Sequence, residues 1–437
     1  MDFNVTGSGN NASLNITIDA GAIDRLKEAG VKFIKIGSAV LDVTLDTSAI
    51  AELDKQSTGT VTVSAKMQTK LSKAAKALIG SRPVWDITVH YQKNGKTKYI
   101  SSFGRGTVTL GIAYKAASNE NTGSLLGVYV DKDGKPKLLT NSSYAGGRLI
   151  FSRNSLSTYG VGYKPLAPAF TDTRNHWAKD NIDFVVSRSL ISGISTTTFA
   201  PNTAITCADF LMALGRLSGA DVSSYKASSF TDVKATDPAM PYIEWAVKAK
   251  IVQGIGGGKF GPALSISRQD MAVMMQNYVK ATGCKLPVSV AAVTFSDSTK
   301  IAAYAKEAAK ALQQAGIMQG RGNNTFDPQG NATRAEASSI LRRFVELVID
   351  ESTARGWVQN DAGQWQYLDE NGKPIIGWLV TENSKYHYYF GKDGIMTAGK
   401  WLQIDGNWYY FYADGALAKN IKVDGYEVDE NGVRKTK

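Results

Sequence analysis

The sequence predicts a multidomain protein with a β-rich α+β N-terminal domain, an all-α middle segment and a C-terminal β-hairpin solenoid. Three observations predict it. Period-two patterning with hairpin-turn dipeptides dominates residues 1–165. A Phe-x-Asp mark then recurs at Phe170, Phe230 and Phe295, at offsets of 60 and 65 residues, each time ahead of helical patterning. Beyond residue 356, aromatic strands alternate with glycine turns, Gly372, Gly394 and Gly415, at offsets of 22 and 21 residues. A chain of 437 residues also exceeds one ordinary domain and suits about three modules.

In the first domain, Leu14 to Ile18 and Val61 to Ala65 alternate apolar with polar residues. Ile23 to Gly30 reads as a helix stopped by glycine. Val84 to Tyr91, Thr107 to Ile112 and Val128 to Val130 read as strands, and Asn94-Gly95 and Asp133-Gly134 as hairpin turns. A β-rich α+β or sandwich-like domain is expected. Its ending, Leu149-Ile150-Phe151 followed by Tyr159 to Tyr163, resembles the β domain that precedes wall-binding repeats in clostridial surface proteins. Lys164 to Pro168 is expected to be a short proline-marked linker.

Each unit of the middle segment, after its Phe-x-Asp mark, carries an aromatic-Ala pair: Trp177-Ala178, Trp245-Ala246, Tyr304-Ala305. A glycine step follows, at Gly193, Gly254 and Gly320, then a loop at Phe199-Ala200-Pro201, Phe260-Gly261-Pro262 and Phe326-Asp327-Pro328. Last comes a helix start: Thr206-Cys207-Ala208-Asp209, Ser267-Arg268-Gln269-Asp270, Thr333-Arg334-Ala335-Glu336. Each start has the outline of a capping box, in which a hydroxyl satisfies an orphan amide and an acid reaches back. The arginine of the second and third copies sits in a first turn whose free amides and dipole already favour an anion. Helix-loop-helix units of this size cannot bury their apolar faces without their neighbours.

These marks, in order and three times over, resemble the S-layer homology domain. Expected copies span 168–220, 228–283 and 293–350. The resemblance implies a pseudo-threefold helical bundle whose grooves hold an acidic, pyruvate-bearing secondary cell wall polymer. It points to Trp177, Asp232, Trp245, Gly254, Arg268, Asp297 and Arg334 as polymer-binding positions. Arginine and helix-terminal amides together would meet a sugar carboxylate. Cys207 in place of arginine puts the first copy's own anion site in question, so binding is expected to be strongest where the later repeats meet. The bland alternative is core packing for Trp177, Trp245 and Tyr304, and a surface ion pair for Arg334.

From residue 356 to 437, Gly356-Trp357, Gly377-Trp378 and Gly399-Lys400-Trp401 alternate with Trp365-Gln366-Tyr367, His387-Tyr388-Tyr389 and Trp408-Tyr409-Tyr410. Hairpins that bury their aromatics on one another account for this pattern. The stretch 356–416 resembles the choline-binding or glucan-binding repeat of Gram-positive surface proteins, and the tail from Ala418 reads as a degenerate closing unit. The resemblance implies that Trp365, Trp378, Tyr389, Trp401, Trp408 and Tyr410 form cages for the choline of teichoic acid through cation-π attraction, or bind glycan. Packing alone is the alternative. His387 departs from the pattern, and Lys400 would repel a cation.

The formal net charge is +11, with the excess concentrated in the N-terminal domain. No basic run or basic helix favours nucleic acid or a membrane surface, and no apolar run is long enough to span a bilayer. His90, His176 and His387 are too few and too scattered for a histidine metal site or a Ser-His-Asp arrangement. Gly254 to Phe260 lacks the Ser or Thr of a phosphate loop, and Asp131 to Gly134 meets Ser142 where a calcium loop needs glutamate. Cys207 and Cys284 lie in different repeats without metal spacing. The first residues carry no secretory signal, so an extracellular chain would be expected to have lost one.

The expectation is therefore a non-catalytic, extracellular wall-attachment protein without cofactor or metal. Its partners would be an acidic wall polysaccharide and choline-bearing teichoic acid. The rivals are a wall hydrolase with residues 1–165 as catalytic or substrate domain, and a lattice protein in which that domain self-associates.

Overall fold

The computed structural model describes residues 2–6, 13–18, 20–28, 31–104, 106–166, 169–349, 356–369, 372–381 and 386–435. The expected glycine stop at Gly30, the Ala167-Pro168 half of the linker and the junction 350–355 lie outside them. The chain divides into two compact units, Met1–Thr203 with Ala208–Ala246 and Gly256–Pro262, and Ala204–Cys207 with Val247–Ile255 and Ala263–Lys437. The dividing lines fall inside the helical repeats.

In the first unit, one sheet runs in the order Asp2–Thr6, Ser13–Ile18, Val61–Met67, Val84–Lys93, Thr158–Tyr163, Leu125–Val130, Pro136–Leu139, with Lys96–Ile100 also paired to Val84–Lys93. A second runs Ser142–Ala145, Arg148–Arg153, Val108–Ala113, Leu41–Asp46, Phe33–Ile36. Ser13–Ile18 and Leu41–Asp46 alternate buried with half-buried residues, as the period of a strand requires. Their inward side chains join one core drawn from both sheets, including Ile16, Val63, Ile87, Val43, Leu110 and Phe151. The domain is thus a sandwich with helices added at Ala20–Glu28, Thr47–Gln56 and Lys73–Ile79. Asn94 and Gly95 both take positive φ (52° and 71°), which a two-residue turn between right-twisted strands demands.

Residues 169–349 carry helices at Lys179–Ser187, Cys207–Ser218, Met240–Lys248, Arg268–Thr282, Lys306–Gln314 and Arg334–Ile349, separated by long ordered loops. The marks read from the sequence have structural partners. Phe170, Phe230 and Phe295 each pack on the phenylalanine of their own unit's loop, with ring centroids 5.6, 5.4 and 5.4 Å apart. Within the second unit, the residues ahead of three helix starts close a ring. The amide of Ile205 donates to the Ala332 carbonyl (2.9 Å), that of Ala332 to Ile266 (3.0 Å), and that of Ile266 back to Ile205 (3.1 Å).

The C-terminal segment forms two-stranded hairpins at Gly356–Gln359/Trp365–Leu368, Gly377–Val380/His387–Phe390, Lys400–Ile404/Asn407–Phe411 and Ile421–Val423/Tyr426–Val428. The last lies in the tail from Ala418. Leu368, Phe390, Phe411 and Val428 are buried at the same register. Backbone bonds stitch successive repeats: Met396 donates to the Trp365 carbonyl, Leu417 to His387 and Arg434 to Trp408. Gly415 shows why each turn carries glycine: its φ is +82°, and a Cβ would lie 2.3 Å from the Met396 sulfur.

Candidate functional site

Among the helix starts, the third forms a reciprocal capping box. Glu336 accepts from the Thr333 amide (2.7 Å), and the Glu336 amide donates to the Thr333 hydroxyl (3.1 Å). In the second, the Asp270 amide donates to Ser267 Oγ (3.2 Å), but the shorter acid takes the Ser267 hydroxyl at 2.5 Å. Asp270 also accepts from the Tyr304 hydroxyl at 2.7 Å. Burial and then Asp270 push that phenol up to about 12. Burial likewise raises the Cys207 thiol to about 11, with Asp270 adding to it, so this free cysteine is a poor nucleophile.

Arg334 is 5% exposed and Arg268 is fully buried. Arg268 donates through Nε to the Phe326 carbonyl (2.7 Å) and through Nη2 to Asp361 Oδ2 (2.6 Å). Its Nη1 lies 3.6 Å from Glu336 Oε1 and has no hydrogen-bond partner. Arg321 donates to both oxygens of Glu336 and pairs with Asp327. Asp361, from the turn of the first hairpin, also accepts from Arg343 Nη2 (2.7 Å) and from the amides of Gln319 (3.2 Å) and Gly320 (3.1 Å). Burial alone would push the Asp361 carboxyl up, but Arg343 and then Arg268 outweigh it and hold the group below the usual carboxylate range.

The repeated aspartates have a common task. Asp297 accepts from the amides of Phe326 and Asp327, both at 2.8 Å, and Asp232 from those of Phe260 and Gly261, both at 2.8 Å. Asp172 does the same with Phe199 and Ala200. The Phe260 amide foremost holds the Asp232 carboxyl below its ordinary range. Each Phe-x-Asp mark therefore staples its own loop, through the ring and the acid together. Trp177, Asp232 and Trp245 lie in the first unit; Gly254, Arg268, Asp297 and Arg334 lie in the second. Trp177 and Trp245 are half-buried and Gly254 is exposed.

Along the hairpins the aromatics gather into three clusters. Trp357 stands 6.2 Å from Trp365 and 4.8 Å from Tyr388 of the next hairpin, in T-shaped contacts. Trp378 meets Tyr389 of its own hairpin (5.2 Å) and Tyr409 of the next (5.1 Å). Trp401 meets Tyr410 (5.3 Å) and Tyr426 (6.0 Å). This last cluster already holds a cation: the Arg434 guanidinium lies 4.6 Å over Tyr426, 5.4 Å over Trp408 and 5.9 Å over Trp401. Beside the second cluster, the Lys419 ammonium donates to His387 Nε2 at 3.2 Å. Trp365, Trp378 and Trp408 are 42, 39 and 36% exposed, so their faces reach solvent.

Sequence reasoning missed Trp357, Tyr388, Tyr409, Asp361 and Arg434. For Trp357 a signal existed, since it shares the Gly-Trp step with Trp378. For Asp361 and Arg434 the sequence held none.

Comparison with known proteins follows this geometry closely. The S-layer homology domain family matches residues 169–211, 229–272 and 294–338, where the stapled loops and capped helix starts lie. A choline-binding repeat family matches 354–401, and a cell wall binding repeat family matches 399–417. The chain carries three S-layer homology domains followed by choline-binding repeats. It is a cell-surface, wall-associated protein. An amylopullulanase of Thermoanaerobacterium thermosulfurigenes is 34% identical over 46% of this chain and 11% of its own length. The exoglucanase XynX of Acetivibrio thermocellus is 34% identical over 40% of this chain and 16% of its own. The chain thus spans a small share of these relatives. A choline binding domain of Streptococcus pneumoniae is 34% identical over 19% of this chain and 95% of that one, with a TM-score of 0.18. Among the described residues no group of His, Cys, Asp or Glu could hold a metal ion, and no helix is long and apolar enough to cross a membrane.

Proposed function

We propose that this protein attaches to the Gram-positive cell wall through two kinds of module and catalyses no reaction. Residues 168–220, 228–283 and 293–350 form an all-α, pseudo-threefold bundle whose grooves bind an acidic, pyruvylated secondary cell wall polymer. Residues 356–437 bind choline or glycan, and residues 1–165 are a β-rich accessory domain. One observation carries the anion half of this reading. Beside the helix start at Arg268, a carboxylate is held by guanidinium and amide donors together, which is the chemistry a pyruvate ketal would require. Arg334 occupies the same place in the best-formed capping box and is the arginine we assign to polymer.

For the hairpins, choline recognition is best supported at Trp357, Trp365 and Tyr388, because rings from two hairpins meet around Trp357 there and Trp365 keeps an exposed face. The third cluster, filled by Arg434, is the poorest candidate. Two weak sites on one chain would give avidity. Retention of the full chain on a choline resin tests the hairpin assignment. Trp357→Ala should lose about 1 kcal/mol of affinity, roughly fivefold, while Trp401→Ala should change retention little. No retention of the wild type would leave glycan as the hairpin ligand. Hydrolysis of purified peptidoglycan by the full chain would overturn the non-catalytic reading.

A further inference from the structure

The pocket around Arg268 is filled by the protein itself, and the filling group is unusual in origin. Asp361 is fully buried, yet it belongs to a hairpin turn, where aspartate is ordinarily solvated. Every donor to its carboxylate comes from the helical repeats: Arg268, Arg343 and the amides of Gln319 and Gly320. Its own amide returns a bond to the Gly320 carbonyl at 2.9 Å. Both carboxylate oxygens are satisfied, which is the condition for burying a charge without heavy loss.

The turn is built to reach. The third and fourth hairpins turn tightly on Asp405-Gly406 and Asp424-Gly425, all at positive φ. The first instead inserts Asn360 to Gln364 between its strands. Asn360 folds that longer turn by accepting from the amides of Ala362 (3.0 Å) and Gln364 (2.9 Å). Gln364 then lies against Gly322, where a Cβ would come within 2.4 Å of its Oε1. Extra length, internal bracing and a close-fitting glycine all serve the insertion of one carboxylate.

We propose that the pocket of Arg268, Arg343, Gln319 and Gly320 is a carboxylate receptor occupied in cis. The first hairpin lends Asp361 as an internal ligand, and an external carboxylate reaches these donors only when the turn withdraws. Seating of the hairpin array and binding of an acid at this pocket are therefore mutually exclusive. This rests on the same carboxylate-holding geometry that supports the acidic-polymer reading, and it holds for a carboxylate on any wall polymer.

Acetate is the probe. The full chain carrying Asp361→Gly should unfold roughly 5 °C below the wild type in sodium chloride. Sodium acetate at equal ionic strength and pH should recover about half of that loss, saturably, while the two salts act equally on the wild type. Asp361→Asn, whose amide still fills the pocket, should show no acetate response. Equal effects of chloride and acetate on a folded Asp361→Gly chain, or equal acetate rescue of both variants, would overturn the proposal. Hydrogen exchange of the wild type needs no variant. High acetate, but not chloride, should speed exchange of the Asp361 amide, and an unchanged rate would contradict the competition.

Discussion

Asp297 illustrates what a repeated acid does for its own loop. Its recurrence at fixed distance from the Phe-x-Pro loop is plain in the sequence, and the S-layer homology resemblance implies polymer contact there. In the structure both oxygens are spent on the amides of Phe326 and Asp327, a pairing that depends on folding back a segment 29 residues away. Asp297→Ala would leave a buried loop amide unpaired beside Phe295 and should cost about 1.5–3 kcal/mol in urea unfolding. Asp361 carries a pH signature. Its carboxyl is held low in the folded protein, so its contribution is fully present above the ordinary unfolded value of about 3.9 and fades as pH falls through the folded value. Arg268 and Arg343 face it, and Glu336 lies 3.6 Å from Arg268. Comparing wild type with Asp361→Asn isolates the Asp361 share. The wild type should lose stability more steeply below about pH 4, and parallel curves would deny the junction its electrostatic role.

Elements were more legible than their faces. Period two predicted the strands near Leu14, Val61 and Val84, and the hydroxyl-x-x-acid spacing predicted the helix starts, because both are local rules. Within a hairpin, however, neighbouring tyrosines point to opposite faces. Tyr389 packs beside the buried cluster of Ile404, Phe411 and Leu417, whereas Tyr388 joins Trp357. Nothing in the run His387-Tyr388-Tyr389 states which tyrosine reaches the next repeat, since that depends on how hairpins stack. The glycine steps of the helical repeats are similarly long-range in origin. Gly320 has φ +79°, and a Cβ there would lie 2.6 Å from the Thr325 carbonyl and 2.8 Å from the Phe295 ring. Gly320→Ala should destabilise by about 1–3 kcal/mol and loosen the amide that holds Asp361, measurable as lower thermal stability with faster exchange of the turn.

At the scale of the whole molecule, buried ionic side chains join one kind of module to another inside each unit. In the first, Arg188 at the end of helix Lys179–Ser187 donates to the carbonyls of Gly123, Leu125 and Ser142 at 2.9, 2.8 and 2.7 Å. It thereby binds the first helical repeat to the β sandwich. In the second, Asp361 binds the first hairpin to the later helical repeats. Neither was legible, because each is a single residue whose partners in the other module lie 18 to 93 positions away. The S-layer homology and choline-binding repeats were legible, because each repeats a local pattern several times. Wall association follows from those repeats, and recognition of an acidic polymer by the helical ones is the central proposal. Sedimentation of the full chain with purified walls, before and after chemical removal of pyruvate ketals, tests it most directly. The account predicts that ketal removal abolishes most binding, and that Arg334→Ala weakens binding to untreated walls by tenfold or more, about 1.5–3 kcal/mol. Binding unchanged by both would contradict it.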